Sequence, residues 1–566
     1  MTSKSLKTSR RSMVAAATAL LSLGFIAGGL PSQAQDSHRD HDRDHDRQFL
    51  PGNLVVSRTV YDNNPNNVKV GTVLPPNCAP ATGACGASTG APYNGSYPQV
   101  WNNDIYDASF GITAKIYLDQ ITPSGWVINS LEVPNNSQRG ITSKRDQLVT
   151  SFSSKSELAL NLSTDRRYLT FMGYLSPVDT IDVSNSNTPG AVDTTNPVGE
   201  NTFRAVARVD AYGRFHFTET NAYSGNNGRA AVLYNNDGEN LIYTAGNAGN
   251  GANPQPAGVV LGAGTQIIDA LKEPETEQNP GTPTPVGSFS VTLLGAKADK
   301  VGKDDNFRGL TIFNNVLYYT KGSGSNGVNT VYFLDTTGTA CPKGVGLPSS
   351  SATLPTSPLT YDPSTLVTAG LPSNMCILSG FPSTPNKSAT VTAFPFGIWF
   401  ADANTLYVAD EGDGYTGGTD LYTHAAAQTT AGLQKWVFNG TTWTLAYTFQ
   451  NGLDLGSAYQ IHGYPTGNNP ATNLPWAPAT DGLRNITGRV NHDGTVTIWG
   501  ITSTISGNGD TGADPNRLVV ITDKLKNTNA TGAASEKFFT LRQAGFAEAL
   551  RGVSFTPDTD TTGRGW

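Results

Sequence analysis

The chain has 566 residues, a formal net charge of −7 and only 15% charged residues, with 61 glycines and 34 prolines. Removing a 34-residue leader takes away four positive charges and no negative ones, moving the balance to −11. That sign excludes a surface built to hold nucleic acid or an anionic membrane, and long helical periodicity is missing.

Lys4, Lys7, Arg10 and Arg11 precede an apolar run from Met13 to Leu30, and Ser32-Gln33-Ala34 supplies small residues at −3 and −1. This is the order of a secretory signal, with cleavage expected between Ala34 and Gln35. Ser9-Arg10-Arg11-Ser12 leaves a twin-arginine route open beside the general one. Residues 35–50 follow as a spacer rich in His, Asp and Arg, whose composition orders nothing. Residues 51–557 are expected as one domain and 558–566 as a tail.

After the leader about 530 residues remain, three or more domains by length alone, yet no linker divides them. What recurs instead is a hairpin. The expected inner strands are Ser156–Leu160, Arg229–Leu233, Arg308–Ile312, Phe396–Phe400 and Arg484–Gly488. Each turns through Asn, Asp or Gly and returns in a β-branched or aromatic strand, as tight connections require. Second hairpins at 206–218 and 433–449 complete four-stranded units. Starts lie about 70 to 90 residues apart, longer than a ~45-residue repeat. The fold class expected is all-β, a single β-propeller of about six blades. Residues 259–269 and 289–294 keep a count of seven open. Glu548–Phe555 matches an innermost strand, and Leu54–Tyr61, Ile112–Leu118 and Val127–Val133 supply its missing partners. Strands from both termini would then close the ring without a free edge.

The opening Pro51-Gly52-Asn53-Leu54-Val55-Val56 and the stretch Ala222 to Asn227 are distinctive. So are the segment Gly432 to Trp443 and the closing Leu550-Arg551-Gly552-Val553. Together they resemble a family of bacterial secreted propeller modules. The resemblance implies the fold and bacterial export, to the periplasm, the cell surface or the medium. It carries no catalytic residue.

Four cysteines in an exported chain suggest two disulfides, Cys78–Cys85 and Cys341–Cys376. Arg229, Arg308, Arg484 and Arg551 stand at equivalent positions of inner strands, and guanidinium forks fit carboxylate or phosphate. They are candidate ligand-binding residues, with Asn227, Asn306 and Asn485 beside them. The other reading ties each arginine to carbonyls or to Asp304, Asp305, Asp481 and Glu548. Asp410, Glu411 and Asp413 in a Gly-rich turn could hold calcium, the one cofactor suggested. GxSxG, HExxH and P-loop patterns are absent. Trp101, Trp443 and Trp476 are expected to pack between blades rather than to stack on sugars.

The expected function is an exported, monomeric binding or scaffold propeller. It would hold an extracellular small molecule, polysaccharide or protein at the channel mouth. The alternative is a metal-assisted hydrolase or lyase of a carbohydrate, ester or lactone. No membrane span is expected after the leader.

Overall fold

The computed structural model describes residues 47–560, except 65, 68, 71–110, 155–156, 182, 190–200, 221, 237, 248–264, 270–305, 323–326, 342–343, 357–374, 471 and 509–510. The export signal, spacer residues 35–46, Cys78, Cys85 and Trp101 lie outside the described residues. The last spacer residues are held by the domain, contrary to expectation: Phe49 is buried and Arg47 pairs with Asp558 at 3.0 Å.

The described strands form six sheets. In the first, β1 (Leu54–Val60), β2 (Thr113–Ile121) and β3 (Val127–Glu132) run outward from the C-terminal strand, and β4 (Thr150–Ser151) pairs with β2. The second holds β5 (Asn161–Leu162), β6 (Tyr168–Tyr174), β7 (Arg204–Asp210) and β8 (Phe215–Thr220). The third holds β9 (Gly228–Tyr234), β10 (Leu241–Gly246) and β11 (Thr265–Asp269). β11 is therefore the third strand of that sheet and not part of a separate one. The fourth holds β12 (Phe307–Phe313), β13 (Val316–Lys321), β14 (Thr330–Leu334), β15 (Val345–Gly346) and β16 (Met375–Leu378). β17 (Pro395–Asp402), β18 (Thr405–Asp410), β19 (Gly432–Phe438) and β20 (Trp443–Phe449) make the fifth. β21 (Ala479–Val490), β22 (Thr495–Ile505), β23 (Arg517–Lys524) and β24 (Phe539–Gln543) make the sixth.

The last strand, β25 (Glu548–Phe555), pairs antiparallel with β1, Leu54 opposite Phe555 and Val60 opposite Glu548. The two ends of the chain are bonded in one sheet. The hairpins at 229–244, 308–319, 396–409, 433–449 and 484–499 stand where the alternation and turn chemistry placed them. One inner strand differs from expectation. Leu158 holds a left-handed φ of 64°, so regular pairing begins only at β5, three residues later.

Contacts onto each inner strand's backbone run from one sheet to the next. The Ser57 hydroxyl donates to the Leu158 carbonyl (2.8 Å), and Thr170 Oγ1 to that of Ala231 (2.6 Å). Arg229 Nη1 donates to Phe307 O (2.7 Å), Thr320 Oγ1 to Phe396 O (2.6 Å), and Asn485 Nδ2 to Arg551 O (2.7 Å). Between the fifth and sixth sheets Gly397 packs against the Arg484 carbonyl so closely that a Cβ would collide. The path returns to its start, and the fold is a β-propeller. Its cores lie between neighbouring sheets, as where Phe313 stacks on Phe400 at 4.4 Å. Trp443 is buried there, whereas Trp476 is buried in a cluster with Tyr61, Phe152 and Tyr459. Cys341 and Cys376 are bonded across the loop between β14 and β16. No helix among the described residues is long and apolar enough to cross a membrane.

Candidate functional site

Arg308, Phe396, Arg484 and Arg551 are equivalent residues, because the residue after each meets the next sheet in the same way. A Cβ on Gly309 would strike Phe396 O, one on Gly397 would strike Arg484 O, and one on Gly552 would strike Leu158 O. Asn485 makes the same approach as a hydrogen bond to Arg551 O. With Arg229 from the sequence repeat, the six positions are Leu158, Arg229, Arg308, Phe396, Arg484 and Arg551. Five of the inner strands carry a register shift at this point, at Arg229, 308–309, 396–397, 484–485 and 551–552. A bulge adds one residue and turns the strand, which lets the backbones approach. Two bulges are closed alike. Thr320 Oγ1 accepts from Gly309 N (2.8 Å) and Ser57 Oγ from Gly552 N (2.8 Å), and each hydroxyl donates to the next sheet.

The arginines are gathered but do not form an open mouth. Arg229, Arg308 and Arg484 are 4% exposed and Arg551 2%. Glu411, buried between two of them, accepts from Arg484 Nε (3.2 Å) and lies 3.9 Å from Arg308 Nε. Arg229 Nη1 also donates to Asn306 Oδ1, and Arg551 Nη2 to the Phe152 carbonyl. Burial, and next the like charge of Arg308, push the Arg229 guanidinium well below its ordinary range. Burial lowers Arg308 too, against the pull of Glu411.

Asn227 donates to Glu157 Oε1 (3.0 Å) and to the Tyr174 hydroxyl (3.2 Å). Thr150 Oγ1 (2.6 Å) and Tyr174 also donate to the buried Glu157. Of the acids expected to tether the arginines, Glu548 pairs instead with Arg58 (2.7 Å). Asp481 accepts from Gly414 N (2.9 Å) and Gln428 Nε2 (2.5 Å). Asp304 and Asp305 lie outside the described residues.

Asp410, Glu411 and Asp413 turn to different partners. Asp410 accepts from Phe394 N (2.8 Å) and Gly412 N (3.0 Å), Glu411 faces the arginines, and Asp413 meets His424 Nε2 at 2.6 Å. Burial lifts Asp410 to about 7 and Asp481 to about 7. Among the described residues the only three possible metal ligands that converge are Asp335 and the two cysteines Cys341 and Cys376, and those cysteines are spent in the disulfide.

Three residues further along the same strands lies an axial cavity of about 370 Å³. Asn161, Val232, Thr311, Trp399, Thr487 and Ser554, one from each inner strand at the same offset, all line it. Asn236, Asn314, Asn315 and Tyr234 add amides and a phenol. Among the described residues lining it, Arg166 alone is charged, and it is paired with Asp560 at 2.6 Å. Sequence reading missed this set because it stopped at the arginines. Counting three residues past each repeat start would have found it.

No family model matches the chain, and no curated protein matches it. Among solved structures, it is similar to an ulvan lyase of a new polysaccharide lyase family bound to -[GlcA(1-4)Rha3S]-, at 12% identity and a TM-score of 0.30. That match covers 86% of this chain and 94% of the lyase. An acylaminoacyl peptidase of Pyrococcus horikoshii matches at 8% identity and a TM-score of 0.25, over 75% of this chain and 43% of that one. Likeness of this degree says nothing of activity.

Proposed function

We propose that the chain is an exported, six-bladed binding propeller that takes an uncharged polar ligand of saccharide size in its axial cavity. The observation that carries this reading is the ring of six equivalent, uncharged side chains lining that cavity. Its volume of about 370 Å³ falls at the small end of ligand sites, roughly 300–1,000 Å³. Trp399 and Tyr234 offer ring faces to the C–H face of a sugar, while the amides and hydroxyls suit its hydroxyl groups. The described lining offers no carboxylate, imidazole or thiol. Glycoside hydrolysis ordinarily uses a pair of carboxylates flanking the scissile bond, so binding is favoured over hydrolysis. Six blades accord with six sheets whose inner strands contact one another in turn. Export rests on the leader sequence.

The test is titration calorimetry of residues 35–566 against neutral mono- and disaccharides, with Thr311→Val and Thr487→Val as isosteric probes. Each variant is expected to keep its melting temperature and to lose about tenfold in affinity, roughly 1.4 kcal/mol. Failure of every neutral saccharide to bind, or binding that both variants leave unchanged, would overturn the reading.

A further inference from the structure

The six equivalent positions differ in charge, two being apolar and four arginine. Leu158 and Phe396 occupy the second and fifth sheets, which stand opposite one another in a ring of six. The four arginines fill the other positions. A buried carboxylate lies by each exception: Glu157 precedes Leu158, and Glu411 sits at the end of β18, the strand paired with Phe396's own β17. Glu411 serves Arg308 and Arg484, whereas Glu157 is taken up by Tyr174, Thr150, Ser151 and Asn227. On the Arg229 side the acceptors, Asn306 Oδ1 and Phe307 O, are neutral.

Arg229 is 4% exposed, and its Nε has no acceptor among the described residues. A buried guanidinium with a donor unused costs free energy that an acceptor anion recovers. An oxyanion offers several acceptor oxygens that match the planar donor fork. We infer that the arginine end of the channel, centred on Arg229, binds one small inorganic oxyanion of the sulfate or phosphate class. This site is separate from the cavity at the other end of the same strands. It takes an ion where that cavity takes a neutral ligand, so either can fail without the other.

The experiment uses residues 35–566 with inorganic sulfate as the probe. Thermal melting is followed against sulfate at constant ionic strength, with chloride as the balancing salt. A saturable rise of about 2–3 °C is expected at a hundredfold excess over the dissociation constant. Saturation at millimolar or lower concentration separates binding from the unsaturating effect of an excluded salt. Arg229→Gln is expected to lose the shift. Should that variant fail to fold, ion chromatography of the wild-type protein unfolded in guanidinium, after purification in sulfate and desalting, is expected to release about one sulfate per chain. A melting temperature indifferent to sulfate, together with no sulfate released, overturns the inference. So does a sulfate response that appears only in Asp304→Asn/Asp305→Asn, which would assign the neutralising charge to those side chains.

Discussion

The two ends of the inner strands are built from the same six repeats and have opposite chemistry. At the arginine end, bulged backbones touch through Gly309, Gly397 and Gly552, and charged side chains are shut in at 2–4% exposure. Three residues on, the strands leave a cavity of about 370 Å³ to which each inner strand contributes an uncharged side chain. The difference teaches how a propeller divides labour along one strand. Close approach needs small residues and pays for buried charge with partners, while an open axis needs only side chains that tolerate water. The arginines bond to backbone and side chains of neighbouring sheets, and the residues beyond them line the cavity.

The largest effect is expected from removing the C-terminal strand. Deleting residues 548–566 takes away β25, the innermost strand of the first sheet, and frees the edge of β1. No stable monomer should form, which size exclusion and circular dichroism would report. A truncated monomer that melted like the full chain would refute closure by the two termini.

Breaking the charged end alone is expected to cost less. Glu411→Ala removes the buried carboxylate that Arg308 and Arg484 share. Loss of one partner from a buried ion pair costs about 3–5 kcal/mol, to be read from denaturant unfolding. Ligand binding in the cavity should persist wherever the variant is folded. If binding were lost while the fold was kept, the two ends would not be independent.

Gly397→Ala tests the close approach without touching a charge. Its Cβ would meet the Arg484 carbonyl, a backbone atom that cannot swing aside. Overpacking of this kind costs about 1–3 kcal/mol. The same change at Gly494, at a turn with nothing within 4 Å, separates crowding from the conformational cost of its φ of 79°. The crowded site should lose the more stability.

The smallest effect concerns pH. Asp481 is held at about 7 by burial, above the ordinary value of about 3.9 that it takes when unfolded. Its folded form therefore binds more protons than the unfolded chain between these values. The contribution is fully present below about pH 4 and is lost as pH rises through 7. Asp481→Asn should flatten the fall in urea midpoint over that window. An unchanged slope would mean that this carboxyl does not titrate there.

Much of the architecture was legible because hairpins declare themselves locally. Asn236-Asp237-Gly238, Asn314-Asn315 and His492-Asp493-Gly494 carry turn chemistry between alternating apolar runs, and their flanking strands pair as expected. The closing match of Leu550-Arg551-Gly552-Val553 to the other repeat starts was also readable, since equivalent strands meet equivalent surroundings. The Cys341–Cys376 bridge could be read from the even cysteine count together with the expected export.

Partners of the charged residues could not be read in this way. Glu411 faces Arg484 across 73 positions and Arg58 faces Glu548 across 490, separations over which sequence proximity has no meaning. Asp481, three residues from Arg484, bonds instead to Gly414 and Gln428. Local sequence determined the strands, their turns and the small residues at their crossings, because φ/ψ preference and side-chain period act within a few residues. Only the closed ring decided which charges are buried together and which uncharged side chains share the axis, because both depend on six distant strands meeting at one place.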